Sequence, residues 1–336
     1  MIRFGRRLNV ALGALGVMLA QPLVAEAAAQ DGYAIVFNTV KDDGGFNEAA
    51  NAGAKRAQAE LGIAFRERVT GNADQTADAL RAFASRGVGN LVAISFLNEQ
   101  AVADVAGEFP DARFTLIDGV VEADNVRSVH FNEDEAGFLA GAAAGLKTES
   151  DTLAFIGALS IPPIQRYGCG FIQGVAATNP DATVLVRILG DDASVFRDRD
   201  LARTAAEALI AEGADIVFPA AGMAGEGALD AIANAGGFGI GVDVNQNGYN
   251  DRVLTSAVKR VDQAVFLAWS DAAAGTWTAG RQRLGIADDA VDWAVDDANA
   301  DLVADIRETV DALKAEIAAN ERSVLPVDEA PACAGL

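Results

Sequence analysis

Short apolar runs alternate along the chain with longer segments whose apolar positions recur every three or four residues. "YAIVFN", "IAFRERV", "NLVAISF" and "RFTLID" read as strands, and "FNEAANAGAKRAQAELG", "ADQTADALRAFASRG" and "EQAVADVAGEF" between them have the period of helices. The alternation starts again with the strands "TLAFIGAL", "TVLVRIL", "DIVFPAA" and "FGIGVDV", spaced by "PIQRYGCGFIQGVAATN", "RDLARTAAEALIAEG" and "EGALDAIANAG". Such repetition predicts two parallel sheets covered by helices on both faces. No Pro- or Ser-rich linker divides the halves, so the boundary is expected at a tight strand crossover near residues 126–132. After "RVLTSAVK" come a helix, "VDQAVFLAWSDAAAGTW", a strand-like "AVDWAVDD" and an amphipathic helix over residues 300–320. The expected division is an N-terminal lobe of residues 30–130 plus 260–290, a C-terminal lobe of 131–259 plus 291–325, and a tail of 326–336.

The first 29 residues change the picture by setting a compartment. Arg3, Arg6 and Arg7 precede the apolar stretch "LNVALGALGVMLA" and the small-residue run "VAEAAA", the layout of a secretory signal peptide. An exported chain cleaved there is expected in the periplasm, without an acylated lipobox cysteine and not itself embedded in the membrane. The roughly 305 residues that remain suit two lobes better than one core. The formal charge is −22 and would be −24 without the leader's three arginines and one glutamate, which argues against nucleic acid and anionic membranes as partners.

Cys169 and Cys333 are the two cysteines, and an oxidising compartment would allow them to bridge and tie the tail to the second lobe; two separate thiols are the alternative. Neither has the spacing of a redox or zinc site. The single histidine, His130, lies in the strand-like "VRSVHFN" and reads as structural or solvated. Hydrolytic Ser-His or Cys-His chemistry therefore has little to stand on, and no catalytic residue or cofactor is expected.

Doubly wound sheets bind ligands where strand C-termini meet helix N-termini. At those addresses lie Asp43, Phe46 and Asn47 in "DDGGFN", Phe96 after the third strand, Asp118 at the end of "FTLID", Phe196 in "DDASVFRD", Gly222 after "DIVFPAA", Asp243 in "GVD" and Lys259 in "AVK". Taken singly, Phe46 could belong to a core, and Asp118 or Asp243 could cap a helix or turn. Their common position at strand ends favours a binding site.

These residues sit in segments that resemble the basic membrane protein (PnrA-like) family, the substrate-binding proteins of ABC importers of the purine-nucleoside-binding type. The matching stretches are "DDGGFNEAANAGAKRA", "FPDARFTLIDG", "EDEAGFLAGAAAG", "GFIQGV", "EGADIVFPAAGMAGEGALDAI", "GVDVNQ" and "LTSAVKRVD", in one order from about residue 33 to about 322. One departure is "AGMAG" where the family pattern has "AGGTG". The resemblance implies a type I periplasmic binding protein fold, with two doubly wound lobes joined by three crossovers that close on a ligand, and the permease subunits of an ABC transporter as partners. It also implies roles: Phe46 and Phe196 stack on the two faces of a base, Asn47 and Asp118 read its edge, and Asp243, Lys259 and the Gly222 backbone meet the ribose. An acceptor-only Asp118 suits ring N–H or amino donors, whereas Asn47 both gives and takes hydrogen bonds.

Other readings share some of these residues. A flat heterocycle such as riboflavin would use the same aromatic pair, and a ligand-presenting sensor would use the same fold. "DIVFPAAGMAGEGALDAIANAGGFGIGVD" mimics a dinucleotide-binding unit of a dehydrogenase, but the strict G-x-G-x-x-G is absent and "GGFG" precedes a strand. "DVNQNGYND" places Asp243, Asn245, Asn247 and Asp251 at ligand positions of a calcium loop, although Leu254 stands where the bidentate glutamate belongs. The choice among guanosine, inosine and adenosine is open at this level.

Overall fold

The computed structural model describes residues 1–2, 32–334 and 336, so the expected leader lies outside the described residues. The first sheet is built from β1 (Gly32–Phe37), β2 (Phe65–Val69), β3 (Val88–Ile94), β4 (Arg113–Ile117) and β5 (Val126–Phe131), with α1 (Phe46–Leu61), α2 (Ala73–Ala84) and α3 (Glu99–Glu108) between strands. The second comes after α4 (Glu133–Lys147) and holds β6 (Thr152–Gly157), β7 (Thr183–Ile188), β8 (Ile216–Ala220), β9 (Phe238–Asp243) and β10 (Val253–Lys259). Its helices are α5 (Pro162–Thr178), α6 (Arg199–Ala211) and α7 (Gly225–Asn234). The chain then returns through α8 (Val261–Ala274) to β11 (Gly280–Leu284), and crosses again to β12 (Val291–Trp293), α9 (Ala300–Val303) and α10 (Arg307–Ala318).

Two six-stranded sheets result, ordered β11-β5-β4-β3-β1-β2 and β12-β10-β9-β8-β6-β7. All pairings are parallel except that of β12 with β10. The chain passes between sheets after β5, after β10 and after β11, which are the three crossovers of a type I periplasmic binding fold. Central strands such as β3 are buried on both faces and carry the continuous apolar runs that made them legible.

Two elements differ from the sequence expectation. β11, "GRQRL", is a mostly exposed edge strand whose polar composition hides it from a search for apolar runs. The helix expected over 300–320 is broken between α9 and α10 by a turn at residues 304–306, where Ile306 is buried.

The packing of α4 against α5 draws together charged residues that are distant in sequence. A Cβ on Gly170 would lie 2.0 Å from the carbonyl oxygen of Asp134, so the N-terminal end of α4 touches the middle of α5 backbone to backbone. That contact brings Glu133, the first residue of α4, to Arg166 and Tyr167 on α5. On the far side of α5, Cys169 is bonded to Cys333, with 5.2 Å between Cα atoms, and Ala330, Val327 and Leu336 pack around the bridge.

Candidate functional site

A cavity of about 470 Å³ lies between the sheets, where the C-terminal ends of β1, β2, β3, β4, β8, β9 and β10 and the loop after β7 converge. Its lining includes Asp43, Phe46, Asn47, Phe96, Asp118, Phe196, Gly222, Asp243 and Lys259, the nine residues picked out at strand ends. Ser95, Asp118 and Asp243 have φ of 94°, 64° and 65°, so three non-glycine residues leave their strands in the left-handed region at the cavity wall. Residues in that region cost about 1–3 kcal/mol each and gather at functional sites. Gly222, at φ 56°, belongs to the same wall; a Cβ there would press to 3.3 Å from the Phe196 ring.

The centre is a buried charge cluster that sequence order does not reveal. Lys259 is 3% exposed and its Nζ lies 2.6 Å from Asp118 Oδ2, 3.3 Å from Glu133 Oε1 and 3.6 Å from Asp243 Oδ1. Asp118 belongs to the first sheet and Lys259 to the second, so this pair ties the lobes together. Arg166 Nε donates to Glu133 Oε2 at 2.6 Å, and Tyr167 OH donates to Asp243 Oδ1 at 3.1 Å. The ammonium also stands 4.7 Å from the centre of the Phe46 ring, a cation–π distance. Phe46 is half-buried and packs partly on the core, so it is both a wall of the cavity and a support.

Three carboxylates against Lys259 and Arg166 leave one negative charge in excess, and the titration of the cluster reflects it. Burial, reinforced by Glu133 and Asp243, outweighs the Lys259 ammonium and pushes Asp118 up to about 6. Burial also raises Asp243, against Lys259 and Tyr167. Glu133 goes the other way: Lys259 and Arg166 together overcome its burial and hold it below the usual carboxylate range. The three carboxylates likewise overcome the burial of Lys259 and raise it, so it stays charged.

A raised native carboxyl takes up its proton at a higher pH than the unfolded chain does, so its contribution to stability grows as pH falls through about 6. Lowering pH from 7.5 to 5.5 should therefore stabilise the unliganded protein by about 1 kcal/mol through Asp118, and Asp118→Asn should remove that gain. Urea titrations of both proteins at the two pH values measure it. An equal gain in the variant would assign the effect elsewhere, Asp134 at about 6 being the next group.

Asp43 plays a different part from its neighbours. Its Oδ1 accepts from the Gly45 and Glu48 amides and its Oδ2 from the Asn47 amide and the Asn47 side-chain nitrogen, at 2.9–3.1 Å. It caps the first turn of α1 and anchors Asn47. The polar lining is nonetheless not satisfied. Asn38 Oδ1, Thr39 Oγ1, Asn47 Oδ1 and Asp118 Oδ1 are buried without a hydrogen-bond partner among the described residues. A buried polar atom left unpaired costs about 1–3 kcal/mol; the three Asn and Asp oxygens can accept, and the Thr39 hydroxyl can donate or accept.

The four residues of the calcium reading face different partners. Asp243 turns to Tyr167 and Lys259; Asn245 Nδ2 donates to Asp296, and Asn247, 1% exposed, bonds to Ser256 and Ala294. Asp251 is exposed on the turn. The donors go to different partners because the loop is stapled to the segment after β12. Glu133 and Tyr167 were missed in the sequence. "EDE" opening a helix resembles an exposed acidic first turn, and nothing local marks Glu133 as fully buried.

The family described as ABC transporter substrate-binding protein PnrA-like matches residues 32–324. An uncharacterised lipoprotein of Pyrococcus abyssi is 29% identical over 315 residues, covering 87% of this chain and 78% of its own. Basic membrane protein D of Borreliella burgdorferi is 27% identical over 258 residues, 73% of this chain and 74% of its own. The crystal structure of an ABC transporter solute-binding protein from Aeropyrum pernix superposes with a TM-score of 0.77 at 24% identity, over 88% of this chain and 93% of that one, a likeness of fold. The Pyrococcus relative is named a lipoprotein, so the comparison lends no support to the expected absence of a lipid anchor. No helix among the described residues is long and apolar enough to cross a membrane. The chain is a member of the PnrA-like family of ABC transporter substrate-binding proteins.

Proposed function

We propose that this substrate-binding protein captures a purine nucleoside in its cleft and delivers it to the permease of an ABC importer. The observation that carries the reading is the set of unpartnered buried oxygens on Asn38, Thr39, Asn47 and Asp118, in a cavity also lined by Phe46 and Phe196. A flat ring with N–H groups at its edge meets both requirements at once. Aromatic stacking on a base contributes about 1–3 kcal/mol in single-strand binders, which serves here as the scale. A cavity of about 470 Å³ is within the range of small-molecule sites.

The sugar falls to Asp243. One of its oxygens accepts from Tyr167, and the other is left for a ribose hydroxyl. Lys259 is committed to three carboxylates, so it acts on the sugar chiefly by keeping Asp243 ionised. A site that buries polar groups for a hydroxyl loses about 1–3 kcal/mol for each partner that is missing. The free purine base should thus bind about a hundredfold more weakly than its nucleoside. Asp243→Ala should erase most of that difference while leaving the base's own affinity within about threefold. Calorimetry with base and nucleoside on both proteins is the test. Equal affinity for base and nucleoside in the wild type would defeat the sugar assignment, and no binding of either would defeat the nucleoside reading.

A further inference from the structure

We infer that Asp43 sets base specificity, by locking the Asn47 amide so that Asn47 and Asp118 together present an acceptor-only edge that selects a 2-amino-6-oxopurine over a 6-aminopurine. The inference rests on the nucleoside reading and goes beyond it, since that reading leaves guanosine, inosine and adenosine unranked.

An asparagine amide has a donor and an acceptor end, and its orientation is set by its partners. An ionised carboxylate only accepts, so the Asn47 atom 2.9 Å from Asp43 Oδ2 has to be the nitrogen. The same oxygen takes the Asn47 backbone N–H at 3.1 Å, and Oδ1 takes two further amides of the turn, which leaves the carboxylate no freedom to rotate. Asn47 is 2% exposed, and its Oδ1 is buried without a partner among the described residues. On Asp118, 9% exposed, Lys259 occupies Oδ2 and Oδ1 is likewise unpartnered. Both residues line the cavity. Asn47 can serve as donor or acceptor in the sequence; here its nitrogen is turned to Asp43 and Oδ1 is the atom left without a partner among the described residues.

Two acceptors need two donors. A guanine edge supplies N1–H beside its 2-amino group; a hypoxanthine edge supplies N1–H alone; an adenine edge sets the N1 lone pair beside its amino group. That lone pair would face an oxygen that has already left water, and the mismatch costs an unpaired acceptor as well as repulsion. Asp43 touches the base in none of this. It is a positioning residue, acting through Asn47.

Calorimetry of the full chain at pH 7.5 with guanosine, inosine and adenosine tests the edge. Guanosine is expected to bind at least about a hundredfold more tightly than adenosine, with inosine between. Adenosine within threefold of guanosine would overturn the acceptor-edge inference while leaving the nucleoside reading standing. Failure of all three to bind would overturn that reading, and the inference with it. Asp43→Asn, which can turn the Asn47 amide round, and Asp43→Ser, which keeps a capping oxygen but cannot reach the amide, should each lower the guanosine-to-adenosine ratio at least tenfold. A role for Asp43 confined to capping α1 would weaken both nucleosides alike; an unchanged ratio in either folded variant would overturn the assignment to Asp43.

Discussion

Replacing Lys259 with methionine should destabilise the unliganded protein by about 3–5 kcal/mol at pH 7.5, the cost of removing one partner from a buried ion pair. Methionine keeps most of the side-chain volume, so the loss reports charge. Asp118, Glu133 and Asp243 would then face one another with Arg166 as the nearby cation, and of the three carboxylates Arg166 pairs with Glu133. Because the stranded carboxylates can take up protons, the deficit should shrink as pH is lowered towards 5. Guanidinium titrations of both proteins at pH 7.5 and 5 measure both effects. A deficit under about 1 kcal/mol at pH 7.5, or one that grows on acidification, would mean that the cluster is already neutralised by protons and that Lys259 is not its keystone.

The second large effect concerns the tail. Cys169 and Cys333 are 164 residues apart in sequence, and the chain-entropy treatment of a cross-link that closes such a loop gives about 5 kcal/mol. Measured bridges often deliver less, so about 3–5 kcal/mol is expected for Cys169→Ala combined with Cys333→Ala. Gln165 also donates to the Leu336 carbonyl and Gln173 to that of Leu325, so the tail is held against α5 by more than sulfur. The variant's loss should appear as a lower unfolding midpoint with nucleoside affinity nearly kept, since Cys169 is on the side of α5 away from Tyr167 and the cavity. Unchanged stability in the double variant would show that the bridge constrains nothing that the tail's other contacts do not already hold. A large loss of affinity would instead mean that the tail fixes where α5 presents Tyr167.

Part of this molecule is written locally in its sequence. The continuous apolar runs and the period-3.6 segments determined two rounds of strand and helix, because burial on both faces of a parallel strand demands a continuous apolar run and a covering helix demands an apolar stripe. The nine residues chosen at strand ends line one cavity because in a parallel sheet all strand C-termini point the same way. β11 escaped, since an edge strand need not be apolar, and so did the break between α9 and α10.

What no local pattern carries is which charges meet. Lys259 is 141 residues from Asp118 and 126 from Glu133, and Coulombic pairing leaves no period in the chain. By itself the sequence determined where the cavity-lining residues would gather and which residue types would be there. Only the tertiary structure decided that Lys259 binds the lobes through Asp118, that Glu133 is buried, and that Asn47 is held by Asp43 with its oxygen unpaired. Each of those depends on the relative placement of the two lobes or on the rotation of a side chain about its own bonds, and neither is constrained by hydrophobic periodicity.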